Sequence, residues 1–327
     1  MPDRIVLLVT SPRLPAGLLT AQAWDLVRAA PVYAAADSPQ AGALRAAGVE
    51  VKVVGGEAQV AAEALLADPA PTVVWLAGPD GDPAVARRVG LRLASEPGSA
   101  ELELVYGSWD PPGARLLDVV AVMDRLRSPG GCPWDAEQTH RSLAHYLLEE
   151  VYEAYDEMVR GDLAALREEL GDVLLQVAFH SRIAEELPDD ERWSIDDVAG
   201  DLVEKLVRRH PHVFSSVEVD GAEHVAANWE EIKKAEKSRE SVMDGVALSQ
   251  PALALAAKLL SRARKAGIAV PVPEAPADPT RDEPALGATL LAQTAAAGEA
   301  GLDAEGALRQ AALTYAKDVR KAESQSV

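Results

Sequence analysis

The chain has 327 residues, of which 48% are hydrophobic, a composition typical of a globular protein of about two or three domains. Its formal net charge of −20 disfavours broad binding to nucleic acid backbones or anionic membranes, which need basic patches, but leaves room for a small phosphate ligand carried in with a metal ion. With one cysteine, no export signal and no apolar run of about 18 residues, we expect a cytoplasmic protein without an intrachain disulfide.

Residues 1–107 are predicted to form an α/β domain. The spacing of apolar residues over 18–30 is helical. Short apolar runs that are typical of buried strands occur at 5–10, 32–35, 49–54 and 72–77. Strands that alternate with helices favour a parallel sheet, so this is the architecture we expect for the first part of the chain.

Residues 110–245 change character and are predicted to be all-helical. Asp110, Pro111 and Pro112 favour a helix start with proline in the first turn, and the Ser-Pro-Gly-Gly segment 128–131 favours a helix end. Ser194 and Asp197 resemble a capping box. The predicted helices cover about 110–127, 139–160, 162–186, 194–209 and 222–238.

Residues 246–327 are rich in alanine and are predicted to form two further helices around a proline-rich break at 271–276. A weak repeat links the segments 169–175 and 285–291: the apolar frame and a glycine persist, while both acids of the first copy are replaced by Ala285 and Ala288. We interpret the tail as a degenerate second copy that has lost its chemistry. A chance match between two helices rich in alanine and leucine explains the spacing equally well.

Two pairs of acids carry the main functional signal. Residues three apart share a helix face, so Glu150 projects with Glu153, and Glu169 projects with Asp172. Gly161 can end one helix in the left-handed conformation, and the next residue can cap the following helix, which predicts an antiparallel helical hairpin. Glu153 and Glu169 each lie eight residues from Gly161, and Glu150 and Asp172 each lie eleven residues from it. At 1.5 Å per residue, these spacings correspond to about 12 and 16 Å along the helices. Four carboxylates are therefore predicted to converge on one helix–helix seam.

Such a cluster is unstable without compensation. Two like charges about 4 Å apart repel by about 4 kcal/mol at an effective dielectric constant of about 20. Either some of the acids are protonated or a cation is bound. Oxygen donors without histidine or cysteine favour a hard ion, Mg²⁺ or Mn²⁺ rather than Zn²⁺. The alternative is an acidic helix face that is simply solvated.

These residues resemble the signature of the all-α nucleoside triphosphate pyrophosphatases: Glu149 and Glu150 followed by Glu153, and then Glu169 followed by Asp172. Three flanking segments narrow the resemblance to the MazG family, at 131–140, 208–214 and 228–233. The resemblance implies an enzyme with an all-α MazG domain at 110–245. It implies Mg²⁺-dependent hydrolysis of NTPs or dNTPs, with damaged nucleotides as further candidates, to a monophosphate and pyrophosphate. Mn²⁺ is a possible substitute for Mg²⁺.

The resemblance also assigns roles to single residues. It implies metal ligands at Glu150, Glu153, Glu169 and Asp172. It leaves Glu149 as a further ligand or as the group that orients a water. It implies that Lys205 and Arg209 contact the triphosphate. It also implies that Trp229 and Lys233 close over the nucleotide. From the residues alone, Lys205 and Arg209 also fit a solvated helix face, and Trp134 fits either stacking on the base or filling the core.

The rest of the chain resembles the family less fully. Residues 1–107 resemble a shortened tetrapyrrole-methylase domain whose first turn, 10–15, lacks the glycines that let a cofactor approach, so we do not expect methyl transfer. Residues 246–327 resemble the closing helices of a second MazG repeat.

MazG-like proteins complete their helical bundle by pairing two domains. We therefore expect a homodimer, with the tail as an intrachain alternative to the partner. The rival functions are a non-catalytic sensor or scaffold that binds Mg²⁺ and nucleotide, and a pyrophosphatase for dUTP or phosphoribosyl-ATP.

Overall fold

A five-stranded parallel sheet forms the N-terminal part of the computed structural model, which describes residues 1–96, 99–236 and 241–325. The strand order is β3-β2-β4-β1-β5. The strands are β1 Arg4–Val9, β2 Val32–Ala34, β3 Val51–Val53, β4 Thr72–Ala77 and β5 Glu101–Tyr106. The helices between them are α1 Ala21–Ala29, α2 Pro39–Ala46, α3 Ala58–Ala67 and α4 Pro83–Ser95. The predicted parallel α/β region is therefore confirmed.

The apolar runs of the strands are explained by burial on both faces of the sheet. β1 lies between β4 and β5, and its Leu7 pairs with Trp75 of β4. On one face, Leu8 packs in a cluster with Leu44 of α2. On the other face, Leu7 and Trp75 pack with Leu65 of α3. A strand covered on both sides reads as a continuous hydrophobic run, which is why these strands were visible in the sequence.

Several elements of the sheet region were missed or misplaced by the sequence. β5 was missed because it lies at the edge, where Glu101 and Glu103 alternate with the exposed Leu102 and Leu104. α1 begins at Ala21 rather than at residue 18, because the Thr20 hydroxyl caps it by accepting a hydrogen bond from the Ala23 N–H at 3.2 Å. The helices α2, α3 and α4 were also not predicted.

The helices that follow are α5 Arg115–Arg127, α6 Pro133–Glu137, α7 His140–Arg160, α8 Leu163–Ala184 and α9 Ile195–Arg209. The predicted helix start at Asp110 is wrong. Pro111 and Pro112 lie in a turn in which the Ala114 N–H donates to the Pro111 carbonyl at 3.1 Å. Gly113 adopts a φ of +89°, which a continuing helix cannot accommodate, so α5 begins two residues later.

The predicted hairpin of α7 and α8 is confirmed. Gly161 has a φ of 75° and ends α7 by donating its N–H to the Glu157 carbonyl at 2.9 Å. The Asp162 carboxylate then caps α8 by accepting the N–H groups of Ala164 and Ala165 at 3.0 and 3.1 Å. One half of the capping box predicted at Ser194 is present, because its N–H donates to the Asp197 carboxylate at 2.7 Å, while its hydroxyl accepts the Asp196 N–H at 3.2 Å.

The helical hairpin buries few of the large side chains expected to orient it. A small cluster of Met123, Leu143, Phe179 and Ile183 is buried at its open end. The remaining apolar stripe is exposed by between 36% and 54%, and we call it the exposed apolar face: Val151, Tyr155, Met158, Leu170 and Val177. The sequence placed these residues on the correct helices, but it did not reveal that this chain leaves them exposed.

The described residues divide into two compact units, Met1–Val203 and Glu204–Val327, and the boundary falls within α9. After α9, the second unit contains α10 Pro211–Phe214, α11 Ala222–Glu236, α12 Ala252–Lys265, α13 Glu283–Glu299 and α14 Ala304–Gln325. The tail thus has three described helices rather than the two predicted, because Gly301 at a φ of 72° separates α13 from α14. The last two residues predicted for α11 fall outside the described residues. Among those described, no helix is long and apolar enough to span a membrane.

Candidate functional site

Three carboxylates meet where α7 and α8 run side by side. Glu150 of α7 and Glu169 and Asp172 of α8 each offer an oxygen atom, and these atoms all lie within 4.8 Å of one another. We call these three residues the carboxylate cluster. All three side chains are partly buried, whereas Glu153 is exposed one turn along α7 from Glu150. The turn at Gly161 brings the two helices together antiparallel, so the equal spacing of the acids from this turn becomes an equal height on the two helices.

The electrostatics of this cluster favour a bound cation. Partial burial raises the pKa of Glu150 above its ordinary value, and the negative charges of Asp172 and Glu153 raise it further. The pKa of Glu169 is raised in the same way, by burial first and then by the charges of Glu153 and Asp172. Both shifts mean that the ionised cluster is destabilised by its surroundings. A positive ion between the oxygens would remove that penalty.

The donor set fits a hard divalent cation. Within the described part of the chain, this cluster is the one group of three or more His, Cys, Asp or Glu side chains that is close enough to share an ion. All of its donors are carboxylate oxygens, which suit Mg²⁺ or Mn²⁺ rather than Zn²⁺. Glu149 is exposed beside the cluster, and its charge contributes to the raised pKa of Glu150.

Trp134 lies at the open end of the same hairpin. It belongs to the short helix α6, and its ring makes edge contacts with Tyr146 of α7 at 6.2 Å and Phe179 of α8 at 6.5 Å between centroids. Half of its surface, 50%, remains exposed. Both sequence interpretations are therefore compatible with the structure: one edge of the indole closes the small core, and the other part is open to a ligand.

The four predicted nucleotide-binding residues Lys205, Arg209, Trp229 and Lys233 belong to the second unit and are partly buried there. Arg209 is already paired: its Nη2 lies 2.6 Å from the Glu236 carboxylate, and its guanidinium lies 5.3 Å from the centre of the Trp229 ring. This arrangement contradicts the alternative in which Arg209 is a solvated helix face.

Glu236 was missed by the sequence analysis, which offered no local signal for it. It accepts hydrogen bonds from Arg209 and Arg208, and these two cations lower its pKa to about 2. A second missed residue is Arg127, the last residue of α5, which forms a salt bridge with Glu186 at 2.7 Å. Both contacts join residues that are far apart in the sequence, so no short motif could have shown them.

Comparison with known proteins adds an independent finding. Residues 138–214 match the family model described as the MazG nucleotide pyrophosphohydrolase domain. This segment includes the whole carboxylate cluster and the turn between its two helices.

Full-length relatives extend the likeness beyond that segment. The chain is 43% identical over 252 residues to a nucleoside triphosphate pyrophosphohydrolase of Mycobacterium tuberculosis, covering 76% of this chain and 68% of that protein. It is 36% identical over 227 residues to the nucleoside triphosphate pyrophosphohydrolase/pyrophosphatase MazG of Thermotoga maritima, covering 64% of this chain and 86% of that protein. It is also 51% identical over 249 residues to an uncharacterized 26.1 kDa protein of Streptomyces cacaoi, covering 75% of this chain and 98% of that protein.

Proposed function

The chain belongs to the MazG family of nucleoside triphosphate pyrophosphohydrolases, and from this premise we propose that it splits NTPs and dNTPs into a monophosphate and pyrophosphate at the carboxylate cluster, with Mg²⁺ as its metal. The observation that carries the proposal is the approach of three partly buried carboxylates to within 4.8 Å of one another. This repulsion destabilises the hairpin, and a bound cation would remove it. Damaged nucleotides are further proposed substrates, which fits a role in cleaning the nucleotide pool.

The proposed chemistry assigns a task to each acid. Glu150, Glu169 and Asp172 would hold the cation, and Glu153 would add a fourth carboxylate from the same face of α7 as Glu150. A divalent ion held there would supply positive charge to the phosphates and would make a nearby water more acidic. Glu149 would orient the attacking water. The water oxygen adds to the α-phosphorus and its proton passes to solvent, while the bond from that phosphorus to the bridging oxygen breaks. Pyrophosphate leaves, and the nucleoside monophosphate remains.

By analogy with the family, we propose roles for four further residues. Lys205 and Arg209 would contact the triphosphate, and Trp229 and Lys233 would close over the nucleotide. Because Arg209 is paired with Glu236 at 2.6 Å, an incoming phosphate would compete with that carboxylate. Positioned cations stabilise the charge that develops on the phosphate oxygens during transfer. Trp134 stacks on the base with the part of its ring that is exposed.

We assign the proposed roles to three segments of the chain: an α/β domain at 1–107, the catalytic helices at 110–245 and a degenerate repeat at 246–327. The turn after β1 is fastened to α5, because Arg13 donates two hydrogen bonds to the Asp118 carboxylate at 2.8 and 2.6 Å. Arg13 also contacts Asp110, so its side chain is only 10% exposed. This turn thus makes an ionic contact with α5.

A homodimer is the proposed assembly. The exposed apolar face lies on the same two helices as the carboxylate cluster, and large apolar surfaces of this kind mark interfaces. A two-fold pair is the commonest homo-oligomer, and an obligate interface buries about 2,000 Å² or more. Pairing through this face would bring residues of both copies close to each site.

One assay tests the proposed function. Pyrophosphate release is measured with Mg²⁺ across a panel of NTPs, dNTPs, oxidised dNTPs and dUTP, for the wild-type chain and for Glu150→Gln. We expect many turnovers per chain for the wild type and none above background for the variant. Glu168→Gln is the matched control, because Glu168 is an exposed acid on α8 next to the cluster, and it should retain activity.

The same assay distinguishes the rival functions. A sensor or scaffold would bind Mg²⁺ and nucleotide without multiple turnovers. Strong preference for dUTP over all other substrates would point to the neighbouring pyrophosphatase class. Full activity in Glu150→Gln would show that the chemistry lies elsewhere.

A further inference from the structure

Arg127 is a buried cation that the proposed chemistry does not use. Its side chain is only 3% exposed. The guanidinium binds both oxygens of Glu186, with Nε at 3.0 Å and Nη2 at 2.7 Å, and lies 5.5 Å from the centre of the Phe179 ring. A charge removed from water in this way is strongly destabilising unless every donor is satisfied, and the planar fork of arginine can satisfy several partners at once.

The third nitrogen of Arg127 connects this ion pair to α6. Nη1 donates to the carbonyl oxygen of Asp135, and it also contacts the carbonyl oxygen of Gln138 at 3.3 Å. These carbonyls lie at the C-terminal end of α6, where a helix has unsatisfied acceptors and a partial negative charge. Arg127 therefore joins the end of α5 to α6 and, through Glu186, to the region just after α8.

α6 depends on such ties because it is only five residues long. An isolated helix of this length is not stable in water. Two further contacts hold it against α7: the Gln138 side-chain amide donates to the Trp134 carbonyl at 2.9 Å, and the Ser142 hydroxyl donates to the Gln138 side chain at 2.7 Å. Besides the backbone bond from the Cys132 N–H to the Leu126 carbonyl at 2.7 Å, side chains from neighbouring elements thus fix the position of α6.

What α6 presents is the half-exposed ring of Trp134. The indole ring makes an edge contact with the ring of Phe179, and the Arg127 guanidinium lies over that phenylalanine ring. The neighbouring Tyr146 lies about one turn from Glu150 along α7, which is about 6 Å at 1.5 Å per residue. The neighbouring Phe179 lies about two turns from Asp172 along α8, which is about 10 Å. A nucleotide whose phosphates lie at the carboxylate cluster could therefore extend its base towards the indole.

We propose that Arg127 is a positioning residue for substrate binding: it holds α6 so that Trp134 faces the base of the nucleotide. The inference rests on the proposed function, because it assumes that the phosphates bind at the carboxylate cluster. It differs from a purely structural ion pair in a measurable way. A structural pair would change stability alone, whereas a positioning residue also changes KM while leaving the carboxylate cluster and kcat intact.

The test is a double-mutant cycle on Arg127→Lys and Trp134→Ala. Lysine keeps the charge, but its single nitrogen cannot reproduce the planar group in which two nitrogens bind Glu186 while a third contacts the carbonyls of α6. Loss of a stacked base weakens binding about tenfold, so each single variant should raise KM for the preferred nucleotide by about that factor. The kcat and the Mg²⁺ concentration for half-maximal rate should stay within about twofold of wild type. The double variant should be no worse than Trp134→Ala alone, because Arg127 acts through Trp134.

Arg182→Lys is the matched control. Arg182 also binds Glu186, at 3.0 Å, but its other hydrogen bond goes to Asp124 of α5 at 2.8 Å rather than to α6. It should lower thermal stability at most slightly and leave KM unchanged. If Arg127→Lys fails to fold, Glu186→Gln is the alternative variant. It weakens the ion pair between Arg127 and Glu186 without removing the arginine, and it should also raise KM.

Three outcomes would overturn the proposal: additive effects of Arg127→Lys and Trp134→Ala on KM, an unchanged KM in Arg127→Lys, or an unchanged KM in Trp134→Ala. Each is distinguishable from failure of the proposed function. In that case the wild-type chain itself would release no pyrophosphate, or Glu150→Gln would remain active.

Discussion

The parallel sheet and the helical hairpin of the same compact unit use their apolar residues in opposite ways. In the sheet, Trp75 and Leu8 are fully buried, since helices cover both faces. In the hairpin, Val151 is 45% exposed and Met158 is 54% exposed, while three acids approach one another along the inner seam. The comparison teaches that the sheet buries its large apolar side chains within this chain. The hairpin instead has the features of a surface for ligands and partners.

The largest expected effect follows from removing one carboxylate of the hairpin. Asp172→Asn should lower kcat/KM by about a thousandfold or more, because loss of a cation ligand removes several kcal/mol of transition-state stabilisation. Its thermal stability in EDTA should be unchanged or higher, since a repulsive charge is gone. Pyrophosphate release and circular dichroism melting measure the two effects. A variant that melts early and retains activity would contradict this.

The next largest effect lies in the sheet. Leu8→Ala should reduce the free energy of unfolding by about 2–5 kcal/mol, because it leaves a cavity in a core where Leu8 is fully buried. Chemical denaturation measures the change. Leu163→Ala is the matched change in the hairpin: this leucine is 78% exposed, so the loss should stay within about 0.5 kcal/mol. Equal losses at the two sites would mean that the sheet is not the better packed region.

A third prediction concerns assembly. Val151→Asp places a charge on the exposed apolar face, and it should convert the proposed homodimer into a monomer in light scattering at low micromolar concentration. Leu91→Asp changes a leucine that is 59% exposed on α4, beside the sheet, and should leave the mass unchanged. A wild-type mass near 34.6 kDa with full activity would instead favour the tail as an intrachain partner.

The smallest expected effect concerns the pH dependence of stability, which has opposite signs in the sheet region and in the hairpin. The Tyr33 hydroxyl, and then the backbone N–H of Ala70, hold the pKa of Asp68 in the sheet region below its ordinary value. Its stabilising contribution is therefore fully present above about pH 4 and is lost as pH falls further. Burial and neighbouring acids raise the pKa values of Glu150 and Glu169, so their penalty is present at neutral pH and is relieved as pH falls through those raised values.

Melting temperatures measured in EDTA from about pH 7 to pH 3 separate the two contributions. Asp68→Asn should flatten the loss of stability at the acidic end. Glu150→Gln should flatten the gain that precedes it. If neither variant alters the profile, the pH dependence of stability arises from other groups.

Much of the site could be predicted because its signals are local. The approach of the acids at 150, 169 and 172 and the turn at Gly161 follow rules that act over one or two helical turns, and capping at Asp162 and Ser194 does as well. Glu153, the fourth acid predicted to converge, is exposed and lies outside this group. The helix start at Asp110 was wrong for the same reason. Proline favours a first helical turn and an ordinary turn alike, and the left-handed Gly113 decided between them.

Long-range contacts were invisible in the sequence. Arg127 meets Glu186 from 59 residues away, and Arg209 meets Glu236 from 27 residues away. Edge strand β5 was missed because its alternating charges are typical of a solvated strand, and only its pairing with β1 identifies it. Such pairings depend on how elements dock, which no short window of residues encodes.

By itself, the sequence determined the helical hairpin and the height of its acids, since a helix has a fixed rise and a glycine turn sets where counting starts. It also determined the parallel sheet, because strands buried on both faces must be continuously apolar. Only the tertiary structure decided that Val151 and Met158 stay exposed, and that Arg127 ties α6 to the hairpin. The physical reason is that burial and buried ion pairs are properties of packed surfaces, and a surface acquires its partners only when distant segments meet.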